Sequence, residues 1–341
     1  MTLPNSPVVR IRCDAGSRAG YGHVFRCMAL ADALSALGFT VVFHSDVLAL
    51  FAIGLRYPKV SPPSTPPADV WIVDLEGGCP PSLAERLARD SSLLVIINGT
   101  GYPDTDPGRL QADLVIYQGR QTRPYLLDWG GFAGLWIEGL PYVILRSSVF
   151  PARLVRDYSL PRPSRDPPRI LVTGGGSDPT NFVPRATAAL ASARPGAYNL
   201  CAVIGPAADY GPEAMPPGTD ILQAPHDLFP LYATVDAVVC TFGMTAYEAA
   251  ATGVPTLAFG ITPDHDAGAE LLARELPDLV LACGPSQAPV QDIASVAVSG
   301  LDHVLARRRQ PPAELDGLGA ARVAALIYWQ LEDKINKERS R

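Results

Sequence analysis

His23 is the residue with the strongest chemical potential in this chain. It stands in RIRCDAGSRAGYGHVFRCMALA (10–31), where a short apolar strand pattern (Val8, Val9, Ile11) runs into a loop holding Gly16, Gly20 and Gly22. An apolar helical pattern follows at once. Imidazole titrates closest to neutrality, so a histidine here can take a proton from a hydroxyl or a water. Glycines at a strand-to-helix turn let backbone N–H groups approach a ligand, and a helix N-terminus favours negative charge. The plainer alternative is a histidine hydrogen-bonded to a neighbour in the first turn of a helix. G-Y-G-H-V-F lacks the third glycine of a dinucleotide fingerprint, and no Gly-Lys-Ser/Thr follows as in a P-loop.

Two further runs suit an anionic ligand. VTGGGSDPTN (172–181) carries Gly175, Gly176 and Ser177 after a buried strand pattern. Its exposed N–H groups suit a pyrophosphate; equally, it reads as a tight turn in which Ser177 or Asp178 caps the next helix. FGMTAYEAAATGVPTLAFG (242–260) places Gly243 where backbone can approach a ligand, and Thr245 at a helix start. Glu248, one turn on, suits two ribose hydroxyls. Thr245-x-x-Glu248 also matches a capping box. His265 between Asp264 and Asp266 looks like a metal cluster, but three adjacent residues rarely converge on one ion. Sugar hydroxyl contacts are the reading taken, and no metal site is expected. His44 and His303 read as structural or surface groups.

These residues need a scaffold of alternating elements. Strand patterns at 8–12, 39–45, 70–74, 93–98 and 112–118 alternate with helical ones, and the pattern restarts at RILVTGGG (169–176). Continuous apolar runs bounded by turn signals suit strands buried on both faces of a parallel sheet. The expectation is an α/β chain of two Rossmann-like domains, with ligands beyond the carboxyl ends of the strands. The boundaries read as 1–155 and 169–318, with a C-terminal helix at 319–341 that packs back on the first domain. The Pro-rich, charged segment 156–168 is the linker candidate, and DWGGFAGLWIEG (128–139) reads as an acceptor-side lid or a packed loop.

The 341 residues suit about two domains. A net charge of −6 argues against nucleic acid as the main partner. The six cysteines form no C-x-x-C pair and most sit in apolar runs, so a reducing, cytoplasmic setting is expected. MTLPNSP lacks the pattern of a signal peptide, and the apolar runs are too short to span a bilayer.

In order along the chain stand R-x-D-A-x(4)-G-x-G-H-x-x-R, GGGSDP, G-x-T-x-x-E and DGLGAARV. Over roughly residues 10–328 they resemble the UDP-sugar hydrolases of pseudaminic-acid biosynthesis and the related glycosyltransferases of spore-coat polysaccharide assembly. Both are similar to the peptidoglycan N-acetylglucosaminyl transferases, of GT-B fold. The resemblance implies two facing Rossmann-like domains with a UDP-sugar in the inter-domain cleft and no essential metal or other cofactor. It implies nucleotide binding by Gly175, Ser177, Thr245 and Glu248, with His226 near the base; Gly22, Gly176 and Gly243 join them as positions where bare backbone can approach the ligand. It implies catalysis by His23 as general base on a water, with Asp14 orienting or charging it, and departure of UDP from the anomeric carbon.

Three departures fall on the sugar or acceptor side. Glu76 follows Asp74 where the hydrolases carry a tyrosine. Asp264, His265 and Asp266 stand where relatives show Asn-Gln, and an R-E-E-like segment is Arg146, Ser147 and Ser148. Hydrolysis of a UDP-sugar is the leading expectation. The alternative is a metal-independent inverting glycosyltransferase using His23 or Glu76 as base toward a small-molecule or glycan acceptor. A non-catalytic nucleotide-sugar-binding protein is the third.

Overall fold

The computed structural model describes residues 6–14, 21–44, 56–60, 67–76, 78–97, 110–121, 126–155, 166–306 and 310–340. Gly16 and Gly20 of the first motif and residues 156–165 of the linker candidate lie outside them. The chain divides into two compact units: Met1–Ala15, His23–Arg146 and Gly317–Arg341 in the first, Gly16–Gly22 and Ser147–Asp316 in the second.

The first unit is a parallel sheet of seven strands: β1 (Val8–Cys13), β2 (Thr40–His44), β3 (Lys59–Val60), β4 (Ala68–Asp74), β5 (Ser91–Ile97), β6 (Leu114–Gln118) and β7 (Leu135–Gly139). Their spatial order is β3-β2-β1-β4-β5-β6-β7. The chain winds outward one way from β1 and then restarts beside it at β4, so the strand order reverses between these two. Ligands of open α/β sheets sit at this switch point. Helix α1 (Gly22–Ala36) follows β1 and α2 (Pro81–Arg89) follows β4. The central strands are covered on both faces, which is why they read as unbroken apolar runs: Val70, Ile72 and Val73 of β4 and Leu93 to Ile97 of β5 have no exposed surface. Each such residue contributes about 1.5–3 kcal/mol of burial, so these strands hold their carboxyl ends firmly.

Segment 128–139 is a packed loop only in its first half, which holds one 3-10 turn (Trp129–Gly131). Its second half is β7, parallel to β6 at the sheet edge. Trp129 stacks on Trp136 at 5.5 Å and packs with Phe132 against the α2 core.

The second unit is a parallel sheet of six strands: β8 (Arg169–Thr173), β9 (Asn199–Ile204), β10 (Asp220–Gln223), β11 (Ala237–Thr241), β12 (Thr256–Gly260) and β13 (Val280–Pro285). The order β10-β9-β8-β11-β12-β13 puts its own switch point between β8 and β11. Its helices are α3 (Val149–Val155), α4 (Phe182–Ala193), α5 (Phe229–Tyr232), α6 (Met244–Ala251), α7 (Pro263–Glu275) and α8 (Val290–Leu305). The central run of the first unit ends at Arg146 rather than at 155, because α3 packs on α5 and α6.

Helix α9 (Gly319–Arg339) belongs to the first unit. Arg322 donates to the Pro141 carbonyl (3.1 Å) and Lys334 to that of Ser92 (2.7 Å). Gly319 has no room for a side chain: a Cβ would lie 2.0 Å from the Val143 carbonyl oxygen. All six cysteines are free, and five are buried. Burial pushes the thiols of Cys79 and Cys283 up to about 12. Among the described residues no helix is long and apolar enough to cross a membrane.

Candidate active site

At the switch point of the first unit, β1 and β4 run side by side with Cys13 in register with Asp74. The chain leaves β1 and re-enters as α1, whose second residue is His23 and whose first is Gly22. His23 therefore arrives over the carboxyl end of the neighbouring strand. Its Nδ1 lies 2.8 Å from Asp74 Oδ1. The His23 side chain is 16% exposed and that of Asp74 is not exposed at all.

Arg26, three residues after His23 and so on the same helix face, completes the cluster. Its Nε donates to Asp74 Oδ2 (2.5 Å) and its terminal nitrogen to Oδ1, a two-pronged grip on one carboxylate. Burial alone pushes the Asp74 carboxyl up, but the Arg26 guanidinium, then His23, hold it well below the usual carboxylate range. An ionised carboxylate only accepts, so the 2.8 Å contact requires the proton on Nδ1 of His23. In the neutral ring with that tautomer the other nitrogen, Nε2, is bare, and among the described residues none hydrogen-bonds it. A carboxylate that holds an imidazole in the right tautomer is the orienting half of a general-base dyad.

Two expectations bear on this cluster. Asp14 does not orient His23: its Oδ2 accepts from the Glu76 backbone N–H (2.9 Å), and its own N–H donates to the Asp74 carbonyl. Asp74, which the family resemblance groups with the sugar or acceptor residues, is fully buried, and both its oxygens are engaged by His23 and Arg26. Asp74 ends the strand beside α1, and Asp14 directly follows β1. Glu76 is exposed immediately after β4. Arg146 is half-buried, with its guanidinium 4.9 Å from the Phe25 ring centre.

In the second unit, Thr173 ends β8 beside Cys240 of β11. The glycine turn after β8 and the start of α6 after β11 are therefore neighbours across that switch point. Gly175 has φ +74°, a conformation open to glycine. A Cβ on Gly205 would come within 2.4 Å of the Gly175 carbonyl oxygen, and one on Gly174 within 2.3 Å of Asp178 Cγ. The turn is thus packed from below and leaves Gly175, Gly176 and Ser177 half-buried. Asp178, not Ser177, caps α4: its carboxylate accepts from the N–H groups of Phe182 (2.8 Å) and Val183 (2.9 Å) and from the Tyr210 hydroxyl (2.5 Å).

Gly243 is the N-cap of α6, so Thr245 lies inside the helix and the capping box does not form. Glu248 is 6% exposed and its Oε2 accepts from the Tyr232 hydroxyl at 3.2 Å. His226 is exposed in the loop between β10 and α5. Helix α7 starts earlier than its sequence pattern, at Pro263, which brings Asp264, His265 and Asp266 into its first turn. There the two carboxylates complement the helix dipole. Thr262 caps the helix and lies 2.9 Å from His265 Nδ1. Asp266 lies against Gly260, and burial raises its carboxyl. Among the described residues no group of three or more His, Cys, Asp or Glu could hold a metal ion.

Known proteins share this architecture. A rhamnosyltransferase, SpnG, whose crystals contain thymidine diphosphate, superposes with a TM-score of 0.54 at 15% identity, over 96% of each chain. MurG of Acinetobacter baumannii gives 0.53 at 15% identity, over 95% of this chain and 99% of that one. The fold is that of the GT-B glycosyltransferases. A curated relative, the spore coat polysaccharide biosynthesis protein SpsG of Bacillus subtilis (strain 168), is 24% identical over 357 aligned positions. The match covers 96% of this chain and 99% of SpsG. No family model matches the chain.

Arg26 was present in the first motif without an assigned task. The available signal was its spacing: a cation three residues from His23, in an otherwise apolar helix, needs a buried partner.

Proposed function

We propose that this chain is a GT-B enzyme that transfers a sugar from a nucleoside-diphosphate donor to an acceptor hydroxyl, with inversion and without a metal. The observation that carries this reading is the His23–Asp74 contact, which leaves Nε2 as a base. In the proposed step Nε2 takes the acceptor's hydroxyl proton and the oxygen attacks the anomeric carbon. The bond from that carbon to the diphosphate breaks, and its electrons leave on the phosphate oxygen. Backbone N–H groups at Gly175–Ser177 and Gly243–Thr245 suit the departing diphosphate. Glu248 is assigned to the ribose, His226 to the base, and Asp264, His265, Asp266 and Arg146 to the sugar or acceptor. Glu76, exposed beside the dyad, is the second candidate base.

SpsG and the transferase neighbours favour transfer over hydrolysis, which the same dyad would perform with water. Uridine is the base assigned, on the motif resemblance. The free, mostly buried thiols fit a reducing compartment, and the cytoplasm is assigned on that ground.

The test is to incubate the protein with a panel of UDP- and TDP-sugars, with and without hydroxyl acceptors, and to measure the nucleoside diphosphate released. Release that depends on acceptor supports transfer; release in water alone assigns hydrolysis. Undiminished turnover in His23→Ala overturns the assignment of the base.

A further inference from the structure

We propose that Arg26 is a positioning residue that decides which ring nitrogen of His23 carries the proton, and so keeps Nε2 available as the base. This deepens the reading of His23 given above and rests on it for its catalytic meaning, though not for its test.

Three charged or titratable polar side chains, His23, Arg26 and Asp74, meet here, with the Cys27 thiol beside them. Arg26 grips both oxygens of Asp74, and its terminal nitrogen lies 2.9 Å from Nδ1 of His23. Guanidinium only donates, so this contact asks Nδ1 to accept, while the contact with ionised Asp74 asks it to donate; in the proposal the Asp74 contact sets the tautomer. The groups around Asp74 can be named from every neighbouring strand and helix. From α1 come His23, Arg26 and Cys27, whose Sγ donates to Oδ2 at 3.4 Å. From β1 come Cys13 and, beyond it, Asp14, whose carboxylate turns to the Glu76 N–H. On the other side β5 offers only apolar Val95, Ile96 and Ile97. Among the described residues, Arg26 is the one permanent cation facing this carboxylate.

Without that cation a carboxylate so deeply buried takes up a proton, because burial disfavours its charged form. A protonated Asp74 becomes a donor. It then gives its hydrogen to Nδ1, and the ring proton moves to Nε2. The base disappears without any change in the shape of the site, the outcome expected of a triad histidine in the wrong tautomer. Arg26 acts on the reaction two atoms removed, through Asp74.

The experiment is ¹⁵N NMR of the imidazole nitrogens in the full-length chain carrying labelled histidine. The His23 signals are assigned by their loss in His23→Gln. In the wild type Nε2 is unprotonated and Nδ1 protonated once the ring is neutral. In Arg26→Met and Arg26→Gln the order reverses near neutral pH and returns as the pH is raised and Asp74 ionises. Arg26→Lys, which keeps the charge, retains the wild-type order. Circular dichroism confirms the fold of each variant, and the Gln variant serves if the Met variant does not fold. A wild type with Nδ1 bare, or a folded neutral variant with the wild-type order near neutral pH, overturns the proposal. This readout needs no substrate, so it stands apart from the test of the reaction. On a turned-over donor, Arg26→Gln lowers kcat roughly a hundredfold with KM for the donor unchanged, and the loss shrinks as pH rises. A loss equal at all pH values overturns the proposal.

Discussion

Nδ1 of His23 and Oδ1 of Asp74 meet at 2.8 Å although 51 residues separate them in sequence. They meet because β1 and β4 are adjacent across the point where the strand order reverses. His23 stands in the first turn of the helix after β1, and Asp74 ends β4.

Asp74→Asn keeps the shape of the dyad and removes the acceptor that fixes the tautomer. Turnover is expected to fall by roughly three to four orders of magnitude, with affinity for the nucleoside diphosphate unchanged. Steady-state rates and calorimetric titration with UDP check the two halves. Asp74→Ala also leaves Arg26 as a buried, unpaired charge, at a cost of about 3–5 kcal/mol in urea unfolding.

The same carboxylate predicts an acid dependence. Its folded value lies below the unfolded one, so its contribution is complete above the unfolded carboxyl value of about 4. That contribution fades as pH falls from there toward the depressed folded value. Urea midpoints measured from neutral pH down through this window should drop more steeply in the wild type than in Asp74→Asn. Parallel curves would remove Asp74 as a source of acid sensitivity.

Asp178 serves two N–H groups of α4 and the Tyr210 hydroxyl at once. Its replacement by Ala should cost about 2–3 kcal/mol of stability, and Tyr210→Phe about 1 kcal/mol. Ser177→Ala, which leaves this cap intact, should leave the urea midpoint unmoved. If the serine variant is the destabilised one, the cap has been assigned to the wrong residue.

Gly205→Ala places a Cβ 2.4 Å from the Gly175 carbonyl oxygen, so the glycine turn must move. Binding of UDP should weaken at least tenfold while circular dichroism stays that of the wild type. Unaltered affinity in a folded variant would separate this turn from the diphosphate.

Glu248→Ala tests the ribose assignment against a purely structural role. Loss of the Tyr232 contact costs stability either way. Tyr232→Phe removes the hydroxyl that bonds Glu248 and leaves the carboxylate in place. If UDP binding falls in Glu248→Ala and not in Tyr232→Phe, the carboxylate contacts the nucleotide; equal affinity in both confines it to the core.

The architecture was legible because buried parallel strands leave unbroken apolar runs that no exposed element needs. VWIVD and AVVCT announce themselves in this way, and the glycine turns after them mark where backbone must be bare. Short edge strands are harder to see. β3 has two residues, and β7 carries a glycine- and tryptophan-rich approach that resembles a loop. The start of α7 was also hidden, because Pro263 and three polar residues mimic a loop although proline suits a first helical turn.

By itself the sequence established two α/β halves, and it singled out His23 and the glycine turns as candidates. It could not tell Asp14 from Asp74. Both are carboxylates at the carboxyl end of an apolar strand, and the family resemblance pointed to Asp14. Pairing of β1 with β4 brings Asp74 to 2.8 Å from the imidazole, while Asp14 accepts from the Glu76 backbone N–H. Burial then separates their chemistry, because only the carboxylate sealed from water needs Arg26 to remain charged.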